Sequence, residues 1–139
     1  MKQYTGTKTV KAMPMTMGEA YERKLLKKGV RPSECETHKA GYLVEYEDGY
    51  QLWSPAEPFE KAYKLSETFL DRLRIEFAEV KERFTSLANF YDKGFDEVAK
   101  IVGARQAALL FCQMSSMRTY VEVLETRIED IEQSMKNDK

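Results

Sequence analysis

The side chains best suited to bind a ligand are aromatics and arginines in the second half of the chain. Phe90, Tyr91 and Phe95 lie close together in the sequence, beside Asn89. Five arginines flank this group: Arg72, Arg74, Arg105, Arg118 and Arg127. A nucleotide-like ligand needs a flat apolar surface to stack on, an amide to read an adenine edge and guanidinium groups for its phosphates. We expect all three kinds of group to lie within reach of one turn between helices.

The same residues also have a purely structural interpretation. Phe90 and Phe95 can simply close the end of a helical core, and Arg118 can pair with Glu122 on the same helix. Both interpretations stay open at the level of the sequence.

Catalytic and metal-binding patterns are scarce. His38 is the one histidine, and in an acidic loop it is interpreted as a surface residue. The pairs Glu76/Glu79 and Glu125/Glu129 lack the histidine that carboxylate metal sites in helical bundles use. Neither a glycine-rich phosphate loop nor a GxSxG or HExxH motif is present. The sequence predicts no catalytic residue, no metal site, no cofactor and no enzymatic activity.

Two apolar spines predict the helices that would position the aromatics and arginines. The first, with spacings of three and four residues, is Leu70, Leu73, Phe77, Val80, Phe84, Leu87 and Tyr91. The second, with the same spacings, is Met117, Val121, Leu124, Ile128, Ile131 and Met135. Such stripes are typical of long helices that pack on each other or on a partner chain. We therefore expect an antiparallel helical hairpin.

Capping and glycine signals give the boundaries of these helices. Ser66 is a candidate N-cap, and Gly94 and Gly103 interrupt the helical pattern. The prediction is a first helix over 66–91, a short helix over 95–102, a last helix over 104–135 and a frayed end over 136–139.

Residues 1–63 have a different, strand-rich pattern. Thr16 is a candidate cap for a helix over 17–28, and Met13-Pro14-Met15 should end the strand before it, since proline cannot continue a central strand. The predicted elements are strands over 2–12, 42–46 and 50–53, a loop over 29–36 and a helical turn or two over 57–63. The expected fold class is α+β, with a small antiparallel sheet and short helix in domain 1–63 and the long hairpin in domain 64–139.

Composition and charge limit the function further. The net charge of −1 argues against binding of a nucleic-acid polymer, which relies on counterion release. Residues 1–31 hold eight Lys or Arg against two Glu, whereas residues 34–63 hold seven acids against two Lys. This asymmetry would let two chains dock through their N-terminal regions. Alternatively, it arises by chance and the charged residues only keep the surface solvated. The absence of a long apolar run, a leader pattern or a CxxC motif predicts a cytoplasmic protein with free thiols and no membrane partner.

Two parts of the chain resemble phage proteins. At the front, YTGTKTVKAMPMTMGEAY and GYLVEYEDGYQLWSPAEPFEKAY resemble a module that precedes several small phage domains. At the back, DRLRIEFAEVKERFTSLANF and CQMSSMRTYVEVLETRI resemble the helical hairpin shared by one class of phage Thoeris anti-defence proteins and one class of anti-CBASS proteins. The most specific part is the series Gln113, Met117, Tyr120, Leu124 and Arg127. Together the two parts resemble the first-described type of Thoeris anti-defence protein. Two departures from the family are GYQLWSP, which is shorter than in many relatives, and residues 91–105.

The resemblance implies a molecular sponge in the cytoplasm of an infected bacterium. Members of the family bind glyco-cyclic ADP-ribose, the signal of the defence TIR enzyme, without cleaving it. Some relatives also trap cyclic trinucleotides at separate sites, and the assemblies are homo-oligomers, either dimers or hexamers built from dimers. The resemblance implies a ligand pocket to which Phe95 and Arg127 match best, followed by Arg118, Arg105, Arg72 and Asn89.

Two other functions remain open from the residues alone. The spines by themselves also fit a non-catalytic assembly or adaptor protein that binds another protein. A signal-degrading enzyme is disfavoured by the absence of a catalytic group of residues.

Overall fold

The computed structural model describes residues 1–138, which form two compact units. The boundary between them along the chain lies between Lys64 and Leu65. The elements of the first unit are β1 (Lys11–Pro14), α1 (Met17–Glu22), β2 (Gly41–Glu45), β3 (Gln51–Pro55) and α2 (Ala56–Ala62). Those of the second are α3 (Phe69–Phe90), a 3-10 turn (Tyr91–Lys93), α4 (Phe95–Val102) and α5 (Ala104–Asn137). The expected α+β class, with a small antiparallel sheet followed by long helices, is confirmed.

The sheet of the first unit has the strand order β1-β2-β3, and both pairings are antiparallel. Val44 at the centre of β2 is 1% exposed, and Ala20 of α1 is fully buried. The Trp53 indole N–H donates to the Met15 carbonyl over 2.8 Å, which ties β3 to the segment that follows β1. Thr16 caps α1 as predicted, because its hydroxyl accepts from the Glu19 amide at 3.2 Å.

The predicted strand over 2–12 is wrong in its bounds. Residues 1–10 form no strand, whereas β1 does end within the predicted Met13-Pro14-Met15 break, with Pro14 as its last residue. The Met15 amide donates to the Gly41 carbonyl at 2.9 Å, so the alternation of an antiparallel pair turns the nitrogen of Pro14 away from β2. Since β1 is an edge strand, the missing N–H of proline costs no ladder hydrogen bond there.

Helix α1 is also shorter than the predicted 17–28. It ends at Glu22 because Lys24 adopts a left-handed backbone conformation, with φ of 60°. The amide of Leu25 then bonds back to the Ala20 carbonyl, and that of Lys24 to the Tyr21 carbonyl. This pair of bonds is the Schellman motif, which usually has glycine at its left-handed position.

The second unit is the antiparallel hairpin of α3 and α5. Its core contains Leu70, Leu73, Leu124 and Ile128, with Phe77, Val80 and Ile131 packed against them. Arg74 of α3 forms a 2.9 Å ion pair with Glu132 of α5. The predicted spines are confirmed for these residues, but Met135 is 56% exposed and α5 continues past it to Asn137. Lys139, the last residue of the predicted frayed end, lies outside the described residues.

The start of α3 corrects the predicted cap. Thr68, not Ser66, is the N-cap residue: its hydroxyl accepts from the Asp71 amide at 3.0 Å, and the Asp71 carboxylate accepts from the Thr68 amide at 3.0 Å. This reciprocal pair satisfies two amides that the helix leaves free. Among the helices formed by residues 1–138, none combines the length and the apolar run that crossing a bilayer requires.

Candidate functional site

Aromatic rings cluster where α3 gives way to α4 and α5. We call Phe90, Tyr91, Phe95 and Phe111 the turn-end cluster. The Tyr91 ring lies 5.8 Å from that of Phe111 and 6.5 Å from that of Phe95, centroid to centroid. The Tyr91 hydroxyl donates to the Ala107 carbonyl and so fixes the central ring. Phe95 and Phe111 remain 44% and 48% exposed, which leaves two flat apolar surfaces free to stack on a planar ligand.

Single glycines set the geometry of this turn. Gly94 and Gly103 have φ of 91° and 92°, a region that disfavours residues with a Cβ. Each glycine directly precedes a helix, α4 and α5 respectively. As a result α4 is a separate eight-residue helix that packs on α5, with Val98 fully buried.

A groove adjoins the turn-end cluster between α3 and α5. Its volume is about 600 Å³, and it is widely open to solvent. The lining residues are Glu79, Glu82, Arg83, Ser86, Leu87, Phe90, Gln113 and Met117. The lining therefore combines apolar side chains, an amide that can donate and accept, and charged groups. Gln113 and Met117 belong to the most specific part of the phage resemblance.

The charges of this groove do not suit a diphosphate in a single chain. Two carboxylates, of Glu79 and Glu82, face one guanidinium, of Arg83. Phosphate oxygens would meet net repulsion there, because like charges at short range are unfavourable. One copy of the chain thus offers stacking surfaces and an amide, but too little positive charge.

The structure separates the six predicted site residues into three places. Asn89, Phe95 and Arg105 lie near the turn. The Arg118 guanidinium lies over the Phe84 ring at 5.6 Å in the middle of the hairpin, and no ion pair with Glu122 forms among residues 1–138. All six side chains are exposed.

Arg72 and Arg127 lie at the other end of the hairpin. The Arg127 guanidinium is 6.0 Å from the Phe69 ring, and Arg72 donates to the Ser66 carbonyl at 3.3 Å. Along α5, Arg105 and Arg127 are about 33 Å apart at the rise of an α-helix. Arg105 thus lies near the turn with Asn89 and Phe95, whereas Arg127 is more than halfway along a 34-residue helix.

A second stripe on α5 escaped the sequence reasoning. We call it the outer stripe: Arg105, Leu109, Cys112, Ser116, Tyr120, Val123 and Arg127. All seven residues are exposed. Three of them are large apolar side chains: Leu109 and Val123 are each 50% exposed, and Tyr120 is 40% exposed. The spacings of four, three, four, four, three and four residues place them on one helix face. This spacing was the available signal, but the more apolar inner spine of the same helix masked it.

Groups with shifted pKa values lie outside the turn-end cluster and the groove. The backbone amide of Thr68 lowers the pKa of Asp71, and that of Ser33 lowers the pKa of Glu36. Tyr42 donates its hydroxyl to Glu60, which raises the pKa of the tyrosine. Within residues 1–138 no three His, Cys, Asp or Glu side chains are grouped as a metal site. The arrangement is chemically suited to binding through stacking and hydrogen bonds.

Comparison with known proteins agrees with the position of this site. Residues 67–130 match the family model described as Sequestin, which covers a little under half of the 139-residue chain. No curated protein and no solved structure matches the chain. The matched range contains α3, α4 and most of α5, and with them the turn-end cluster, the groove and the outer stripe. The match is consistent with the resemblance to a sponge family over residues 67–130.

Proposed function

We propose that this protein is a non-catalytic phage sponge that sequesters the cyclic ADP-ribose signals of Thoeris TIR enzymes. The preferred ligand is glyco-cyclic ADP-ribose, and cyclic oligonucleotides of CBASS are a second ligand class. The observation that carries this proposal is the turn-end cluster with its groove, inside the one region that matches a family named for sequestration. The resemblance supplies the identity of the ligand.

The affinity that such a role requires restricts the form of the site. A sponge must hold free signal below the dissociation constant of the effector, which calls for nanomolar binding or about −12 kcal/mol. A small ligand reaches that value only when most of its surface is enclosed and its charges are paired. The groove of one copy is widely open to solvent, and Glu79 and Glu82 are among its lining residues. We therefore propose that a second copy completes the pocket.

The outer stripe is the surface proposed for that second copy. Its composition is nearly mirrored about Ser116, with Leu109 and Val123 at equal distances on either side and Arg105 and Arg127 at its ends. Two copies of α5 packed antiparallel about a two-fold axis would bring Leu109 against the partner's Val123. The small side chains of Cys112 and Ser116 would allow the two helices a close approach at the centre.

The same packing would bring Arg105 next to the partner's Arg127. Two guanidiniums at short range repel each other unless an anion lies between them, and a diphosphate offers oxygens to both. The positive charge that one copy lacks at its turn would thus come from the far end of the other. This arrangement accounts for arginines that one chain holds about 33 Å apart.

A second function is favoured by one observation. The outer stripe exposes three large apolar side chains, and an adaptor that binds a different protein would use such a face. A signal-degrading enzyme is the third possibility to be tested.

One depletion experiment separates the three functions. The protein is incubated with lysate that contains the TIR product, removed by affinity capture, and then heat-denatured. Active signal recovered after denaturation is the expected result and supports the sponge. Signal that is consumed and not recovered indicates an enzyme. Signal that is never depleted supports the adaptor function.

A substitution tests the role assigned to Arg127. We expect Arg127→Ala to weaken binding of glyco-cyclic ADP-ribose about tenfold or more, since a hydrogen bond to a charged group contributes about 1.5–3 kcal/mol. Isothermal titration calorimetry measures the affinity, and light scattering confirms that the oligomer persists. Lys81→Ala is the matched control, because Lys81 is an exposed cation on α3 outside the stripe and the groove. Unchanged affinity in Arg127→Ala would remove this arginine from the pocket.

A further inference from the structure

A loop of the first unit concentrates positive charge. We call residues 23–31 the basic loop; its cations are Arg23, Lys24, Lys27, Lys28 and Arg31. All five are exposed, and no carboxylate among residues 1–138 lies within 4.0 Å of any of them. Tyr21, which precedes the loop, is 43% exposed, and Val30 within it is 41% exposed. The charge of this loop is therefore unneutralised within the chain.

The backbone of the loop holds one of these cations under strain. Lys24 has φ of 60° at the left-handed position of the Schellman motif that ends α1. Glycine has no steric penalty there, whereas a residue with a Cβ is disfavoured. A lysine at this position keeps a charge where the fold alone would favour glycine. Such an outlier points to a use for the charge outside the folding of α1.

The opposite charge lies at the tip of the β2–β3 hairpin. We call Glu45, Glu47 and Asp48 the acidic tip; residues 45–53 contain no Lys or Arg. The tip is ordered, because Glu45 accepts from the Gln51 amide group at 2.9 Å and Asp48 from the Tyr50 backbone amide at 3.0 Å. Glu47 and Asp48 are exposed. Two cations lie beside the tip: Lys8, 5.7 Å from the Tyr46 ring, and Lys11, the cross-strand neighbour of Glu45.

We propose that the basic loop of one copy docks on the acidic tip of a second copy of this chain. Five exposed cations without an ion pair and three carboxylates on an ordered hairpin tip are electrostatically complementary, which sets both specificity and association rate. If the contact is reciprocal it closes a pair of chains; if it runs head to tail it builds a ring. The proposal concerns the first unit alone and does not rest on the function proposed for the hairpin.

Reciprocal charge reversal in the full chain tests this contact. One variant carries Lys27→Glu and Lys28→Glu, and the other carries Glu47→Lys and Asp48→Lys. Sedimentation velocity should show a salt-sensitive self-association of the unmodified protein that each variant alone weakens about tenfold or more. An equal mixture of the two variants should associate nearly as tightly as the unmodified protein. In the mixture, the unmodified acidic tip of the first variant can bind the unmodified basic loop of the second.

Controls separate this result from misfolding and from other partners. Far-UV circular dichroism should be unchanged, since all four substituted side chains are exposed. Self-association that is unchanged in both variants, or a mixture no tighter than either variant, would overturn the proposal. Heparin is a further test. If the basic loop binds heparin in a salt-sensitive way while its charge reversal leaves self-association unchanged, the loop binds a polyanion and the proposal is overturned. Ligand binding by the hairpin is measured separately, so failure of one proposal leaves the other intact.

Discussion

The two ends of the α3–α5 hairpin use the same spacing of apolar residues but are built differently. At the end where α3 begins, Leu70, Leu73, Leu124 and Ile128 are at most 9% exposed. From the middle of the hairpin towards the turn, the spine residues Phe84, Leu87 and Met117 are only half-buried, and aromatic rings extend into solvent. The residues buried there, Val98, Ala107 and Met114, lie where α4 packs on α5. The first is a closed core, whereas the second is a groove with stacking surfaces.

This difference shows where the hairpin gains stability and where it can bind. The closed end also has the capping pair of Thr68 with Asp71 and the ion pair of Arg74 with Glu132. The turn end is interrupted by two single glycines and by α4, which takes up part of the surface of α5. A region with fewer buried apolar contacts opens more readily, and binding surfaces are often found in such regions.

The largest effect is expected from removing a leucine at the closed end. Leu124→Ala should cost about 2–5 kcal/mol, because Leu124 is fully buried and its removal leaves a cavity. Leu87→Ala, the same change in the half-buried spine near the turn, should cost about 1 kcal/mol. Urea unfolding followed by circular dichroism gives both values. Equal costs would show that the two ends are equally well packed.

A smaller effect is expected at the helix cap. Thr68→Ala should destabilise the hairpin by about 1 kcal/mol, since it removes the acceptor for the Asp71 amide. Ser66→Ala is the matched control two residues earlier, and its unfolding midpoint should stay unchanged. A loss in the control that equals the loss in Thr68→Ala would place the cap at Ser66 after all.

The smallest effect is expected from acid. The Thr68 amide lowers the pKa of Asp71 below its ordinary value of 3.8, so ionised Asp71 stabilises the folded state. That stabilisation is present above the unfolded-state pKa and is lost as pH falls through the lower folded-state pKa. The unfolding midpoint of the unmodified protein should therefore exceed that of Asp71→Asn near neutral pH and converge with it in strong acid. A difference between the two that does not change with pH would contradict this assignment.

Local signals in the sequence predicted the helices well. Gly94 and Gly103 bracket α4, and the spines identified the core of the hairpin. Ser66 alone is an incomplete capping signal, whereas Thr68 with Asp71 three residues later is the complete one and forms the observed cap. The strand prediction over 2–12 failed because β propensity does not say which segment finds a partner, and β1 pairs only through residues 11–14.

The candidate site was less predictable for a physical reason. Phe90, Tyr91 and Phe95 are close in sequence, so their proximity follows from one turn, whereas Phe111 joins them from α5. The arginines lie at different heights along the hairpin, and whether they share a pocket depends on a second surface, which no periodicity within one chain specifies. The mirrored composition of the outer stripe is the one feature of the sequence that carries information about that surface.

The mirrored stripe also predicts the stoichiometry of a ligand titration. In a two-fold pair each contact occurs twice, so Arg105 with the partner's Arg127 describes two equivalent pockets at opposite ends of the paired helices. Saturation would then come at one ligand molecule per chain, with no leftover half-site.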